Sequence, residues 1–312
     1  MSTSALYEPF IERDLDAIPG AVRAYRDEHG SEQTFLAVAR FTVLAYAPSQ
    51  HAKHALLCCL AVHDLRESAG DRFDDLVTEC AIYAASSRQP WSEPPSLTPP
   101  AVGDVPATFD DRITAERWLA ARLNRPDLAR DYFTAATHDF EDLGHKLIVS
   151  SAAWRLSNIL GEQGRFAALR LGVWEDVAYG GNRYEEQGGA LDERALLERL
   201  IEAMTAGEGD LVSAHAVFLF DAAMEAAPEI RARVRDYLTN ITKAPPRWAP
   251  HQAASLEIPV YRFARDYGEC LKAHAAVQRL AARFPGAPVE RIIAAAHYNL
   301  EHAQSFEEWS FA

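Results

Sequence analysis

Apolar positions recur at helical intervals along almost the whole chain, and the strict apolar–polar alternation of a half-buried strand is essentially missing. The pattern predicts an all-α fold of about a dozen helices packed as irregular antiparallel pairs, either one large domain or two fused helical lobes. Residues 32–46 and 51–68 read as helices parted at Ala47-Pro48-Ser49, because proline disfavours helical geometry in the residue before it. Further helices are predicted near 72–87, 112–123, 126–140, 145–162, 164–178, 191–206, 210–226, 228–242, 258–284 and 287–305. Gly144 marks a break, Pro126 suits a first turn and Asp210 suits a cap. The glycines at 180, 181, 188 and 189 suggest a second hinge.

Pro90 to Pro106 holds six of the chain's 17 prolines. It reads as an extended connector between an N-terminal lobe, 1–89, and a C-terminal lobe, 107–312. Helix lengths and spacings settle into no fixed period, which disfavours a regular solenoid.

Charge narrows the partners. With 45 acidic against 31 basic side chains, a net charge of −14 and no local cluster of Lys and Arg, neither nucleic acid nor an anionic membrane surface is expected to bind. No leader-like start and no window of about 18 apolar residues is found, so a cytoplasmic protein is expected. Cys58, Cys59, Cys80 and Cys270 read as buried thiols, since the adjacent pair points about 100° apart on a helix. Only four lysines stand against 27 arginines in an Ala-rich background, a composition that looks bacterial. The dinucleotide, phosphate-loop, zinc-protease and serine-hydrolase motifs are all missing, so there is no flavin or nucleotide motif.

What stands out is the placing of histidines on apolar helix faces. His54 shares a stripe with Leu57, Cys58, Val62 and Leu65; His145 with Ile148, Val149, Ala152 and Leu156; His215 with Leu211, Phe218, Leu219 and Ala222. Glu269 falls on a fourth stripe with Lys272, Ala273, Ala276 and Leu280, where an ionised carboxylate needs a cation or strong donors. One such histidine alone is usually a core imidazole bonded to a carbonyl or water. Three of them with a carboxylate are the ligand types of a transition-metal site or an acid–base pocket. If a metal is present, His54, His145, His215 and Glu269 are its candidate ligands; if not, one histidine is a general base on a phenol or enol.

Less weight falls on the remaining pairs. His63 with Asp64 reads as a polar contact, His297 with Glu301 as a surface pair, and Cys270 with His274 has metal-pair spacing but reads equally as filler. Trp118, Trp154, Trp174, Phe218 and Phe220 supply rings for core or pocket.

The segments Ser49-Gln50-His51-Ala-Lys-His54-Ala55, Leu143-Gly144-His145-Lys-Leu-Ile148, Ser213-Ala214-His215-Ala216-Val217 and Asp266…Glu269-Cys-Leu-Lys272 together resemble the helical questin oxidase-like family. Its members carry out Baeyer–Villiger-type oxidative cleavage of aromatic polyketides. His54, His145, His215 and Lys272 fall where the family's motifs place His, His, His and Lys. Glu269 stands where a histidine is expected, and Phe218 where the family has a threonine. The resemblance implies a buried polar pocket for an aromatic or polycyclic metabolite, without a tightly bound flavin, in secondary metabolism.

The resulting expectation is an oxidoreductase or oxygenase with catalytic His54, His145, His215 and Lys272, acting on a small aromatic molecule. A divalent transition metal stays open as cofactor, and a homodimer stays open as assembly. The rival is a non-catalytic helical scaffold or repeat-like interaction module. For the connector, limited proteolysis should cut within 90–106 before it cuts within 145–162 or 210–226; first cuts inside those helices would remove the lobe boundary.

Overall fold

The helical periodicity is realised throughout a computed structural model that describes residues 1–45, 50–87, 109–207, 209–242 and 257–302. Every regular element among these residues is a helix. The first group is α1 (Thr3–Glu12), α2 (Ile18–His29), α3 (Ser31–Leu44), α4 (Gln50–Asp64), the single turn α5 (Arg66–Ala69) and α6 (Phe73–Ser87). Then come α7 (Arg112–Arg122), α8 (Leu128–Ala135), α9 (His145–Ala178), α10 (Glu193–Ala206), α11 (Leu211–Ala223), α12 (Pro228–Ile241), α13 (Glu269–Arg283) and α14 (Glu290–His302).

Helices α4, α9, α11 and α13 form a closed ring in which each packs on the next: α4 on α9, α9 on α11, α11 on α13, and α13 on α4. The other helices brace this ring, with α3 and α6 against α4, α7 and α8 against α9, α10 and α12 against α11, and α14 against α13. Four apolar stripes therefore meet on one axis, as in a four-helix bundle, and whatever polar group a stripe carries is driven inward with it. Residues before and after the Pro-rich segment share this core, since α4 lies against both α9 and α13. The segment itself, Pro90 to Pro106, lies outside the described residues.

Local differences from the sequence reading have physical causes. α1 and α2 were not anticipated; Pro9 inside α1 and Pro19 at the start of α2 break up the composition, yet Ser2 caps the first helix by accepting from Ala5 N. The helix expected over 126–140 ends at Ala135, and Asp139 is turned inward to accept from Lys146 Nζ at 2.7 and 2.8 Å. The helix expected from 258 begins only at Glu269, because Tyr267 and Gly268 are both left-handed, with φ of 56° and 70°. The Asp266 carboxylate holds that turn by accepting from Gly268 N and Cys270 N at 2.8 and 2.9 Å. α9 runs through the gap expected near 163 but is broken at Gly161, whose φ and ψ of 67° and −166° are not helical. Asp210 caps α11 as expected, accepting from Val212 N and Ser213 N. The glycine-rich loop after α9 is pinned to α12: Asp236 accepts from Tyr184 Oη and Gln187 N, and Arg233 donates to the Tyr184 carbonyl. None of the helices among the described residues is long and apolar enough to cross a membrane.

Gly268 is the tightest of these turns, for a Cβ there would stand 2.0 Å from Cys58 Sγ on α4. Gly268→Ala should therefore cost about 2–4 kcal/mol, from left-handed strain plus overpacking. Gly20→Ala, on an exposed first turn with nothing near its Cβ, should be neutral or stabilising by up to about 1 kcal/mol. Urea unfolding of both variants checks this, and equal midpoints would refute the packing argument.

A candidate metal centre inside the helical ring

Each helix of the ring contributes to one polar cluster. His54 comes from the second turn of α4, His145 from the first residue of α9, His215 from the second turn of α11, and Glu269 and Lys272 from the first turn of α13. All five are buried. One donor atom from each of the three imidazoles lies within 4.8 Å of the other two. Their ring centroids are 5.1 Å apart for His54–His145, 5.8 Å for His54–His215 and 4.4 Å for His145–His215.

The backbone dictates how His145 is presented. Asp142, Leu143 and Gly144 all have positive φ, at 52°, 57° and 79°, so the chain coils the wrong way for a full turn before α9 begins. Strain of this kind persists only where the surroundings impose it. It brings the Asp142 carbonyl within 2.6 Å of His145 Nδ1. A carbonyl only accepts, so Nδ1 carries the proton and Nε2 is the lone-pair nitrogen. Nε2 of His215 is 2.9 Å from that lone pair and donates to it. Loss of that shared proton would leave two imidazole nitrogens at a spacing close to the 3.0–3.4 Å or so between neighbouring ligands on one ion, with the rear nitrogen of one fixed by a carbonyl.

His54 is held from behind by charge. Lys272 Nζ donates to His54 Nδ1 at 2.8 Å and to Glu269 Oε1 at 2.7 Å, and Glu269 Oε1 is 3.6 Å from His54 Nδ1. Glu269 therefore stands behind His54, outside the group of three mutually close donors. Its Oε2 is buried with no hydrogen-bond partner. The three imidazoles are donors of the type a transition metal takes, with Glu269 held behind them by Lys272.

Burial, then the positive charge of Lys272, then His145 and His215, hold His54 well below the ordinary imidazole range. Burial, followed by His215 and Lys53, does the same to His145. Both rings are neutral at pH 7, the form that ligates. Glu269 is pushed up by burial and pulled back by Lys272.

An apolar recess opens beside Lys272, the one member of the cluster that lines it. Leu57, Leu60, Ile148 and Phe218 line it, Lys272 lies 5.3 Å over the Phe218 ring, and its volume is about 50 Å³. At the mouth, Asp64 bridges Arg155 and Arg279, and Arg279 also pairs with Asp221. Of the aromatic residues singled out in the sequence only Phe218 reaches the recess. Trp154 packs on Tyr132 and Phe133, Trp118 on Phe109, Phe220 on Phe284, and Trp174 donates to Glu116.

Two participants escaped the sequence reading. Lys53 is buried, pairs with Asp142 and lies 4.6 Å over the Tyr179 ring; Tyr267 stacks 5.0 Å from His54. The scarcity of lysine was the available signal, because Lys53, Lys146 and Lys272 are all buried beside a carboxylate. No family model, no curated protein and no solved structure matches the chain. The questin oxidase-like resemblance rests on its motif residues alone.

Unfolded, these imidazoles titrate near pH 6.5; folded, they do so well below it, so acidification loads protons onto the unfolded state first. Stability is then full above about pH 6.5 and declines as the pH falls toward the folded values, by up to roughly 1.4 kcal/mol per pH unit for each ring. Chelator-treated protein should show a lower urea midpoint at pH 5 than at pH 7.5, and His145→Asn should flatten the slope. A midpoint that rises on acidification would contradict neutral buried rings.

Proposed function

We propose that the chain is a metal-dependent oxidoreductase of the oxygenase type, in which His54, His145 and His215 hold one divalent transition metal and dioxygen oxidises a small aromatic alcohol beside it. The observation that carries this reading is the convergence of three buried imidazoles, from three different helices, with donor atoms within 4.8 Å of one another. A scaffold would scatter them. The motif resemblance supports an aromatic substrate and a role in secondary metabolism, and four free, buried cysteines support a reducing compartment such as the cytoplasm.

Charge balance selects the substrate's ionisation state. Glu269 and Asp142 are each engaged with a lysine, so three neutral ligands leave a divalent ion's charge uncompensated inside the core. An anionic fourth ligand offsets half of it, and a phenolate or enolate is one. When bound, the metal supplies Lewis acidity and a position for oxygen. Lys272 faces both the recess and the cluster, and can pass a proton to Glu269 while taking the phenol's. The carboxylate is then neutral and the ammonium is retained beside the new oxyanion. The recess has room for a molecule of dioxygen's size.

Purified protein should carry close to one transition-metal ion other than zinc per chain by elemental analysis and consume oxygen with a panel of phenols. His145→Ala and His215→Ala should each lose the metal and the oxygen uptake, and the double variant should be no worse than either, because groups acting as a unit fail together. Strong, additive destabilisation by the two changes, with no metal and no phenol binding in the wild type, would sink this reading and favour the scaffold.

A further inference from the structure

Helix α13 has a second face with ligand chemistry. Glu269 and Lys272 point toward α4, while Cys270 and His274, an i, i+4 pair, point roughly 150° away around the helix. Across from that pair stands His297 of α14, whose ring is 5.2 Å from the ring of His274, with the two Nε2 atoms 3.0 Å apart. One donor atom from each of Cys270, His274 and His297 lies within 4.8 Å of the other two. Cys270 is completely buried and His274 is 4% exposed.

We propose that Cys270, His274 and His297 form a second cation site, for a divalent metal of the zinc class, with its fourth position open to solvent. A thiolate with two imidazoles is a borderline-soft donor set that zinc favours in tetrahedral geometry. Bonds of about 2.0–2.3 Å place such donors about 3.3–3.7 Å apart, so the triad closes on an ion by shifts on the order of 1 Å. The rear of His297 is already oriented, for its ring donates to the backbone carbonyl of Glu257. His274 also lines a cavity of about 470 Å³ whose wall carries Arg72, Glu257, Ser68 and Gln278. That cavity gives the ion an entry path and its fourth position a water. On binding, the sulfur–metal bond replaces the S–H bond and the proton leaves to solvent through the same opening. The site is independent of the three-histidine cluster, which contains no sulfur.

Cobalt(II) distinguishes the two sites, since only a cysteine ligand gives a sulfur-to-cobalt charge-transfer band. Chelator-stripped, full-length protein titrated with Co²⁺ should develop that band, and Zn²⁺ should abolish it. Cys270→Ser should lack the band, and His297→Ala, a change at a half-buried position, should weaken Co²⁺ binding by about tenfold or more. His145→Ala should keep the band. Circular dichroism establishes that the variants are folded, and if Cys270→Ser is not, His297→Ala carries the test. No band in the wild type, a band that survives in Cys270→Ser, or unchanged affinity in His297→Ala would each overturn the proposal.

Discussion

The bond from Lys272 to Glu269 is the interaction on which the interior arrangement depends. An ammonium in a helical core costs several kcal/mol of lost hydration, and a single carboxylate at 2.7 Å offsets much of it. With that pair in place, Lys272 has a donor to spare for His54, and the neutral rings of His54 and His145 sit beside it. The same device recurs twice nearby, as Lys53 with Asp142 and Lys146 with Asp139. Each buried lysine has its own acid, so removing either partner strands a charge in the core.

The four helices of the ring were legible because their stripes are long and regular, and the inward direction of His54, His145 and His215 followed from helical periodicity alone. Their convergence did not, since it depends on the order in which α4, α9, α11 and α13 close around one axis. Residue spacing carries no information on that order when the partners lie on separate helices. Of the left-handed turns at Asp142–Gly144 and Tyr267–Gly268, the first was legible as a break at Gly144, whereas Gly268 fell inside the helix expected over 258–284, and Leu143 and Tyr267 are residues that ordinarily avoid positive φ. For this reason the start of α13 was misplaced. Glu269 and Lys272 were placed on one stripe, yet whether the carboxylate faced the imidazoles or stood behind one of them was a question of distance, settled by its 3.6 Å contact with His54 Nδ1. His297 does feel the charge of Glu301, as its spacing suggested, but its contact with His274 was not legible because that residue belongs to another helix.

Both helices whose first turns carry site residues, α9 and α13, are entered through left-handed turns, and each turn is wedged against a neighbour. Gly144 abuts Leu219 of α11, and Gly268 abuts Cys58 of α4. The side chains that hold these turns lie one turn beyond His215 and His54 on the same helices. Backbone strain, packing and polar geometry are thereby coupled within one layer of the ring, so a change in any of the three is transmitted to the others.

His54 and Lys272 are bonded across 218 positions of chain. At translation rates of about 5–20 residues per second, α4 leaves the ribosome some 10–45 seconds before the residue that completes its buried face. Throughout that interval its apolar stripe has no α13 to close on, and the nascent chain is exposed to mispairing or to capture by a chaperone. Synthesis of this fold should thus be limited by the wait for its C-terminal third rather than by the speed of helix formation.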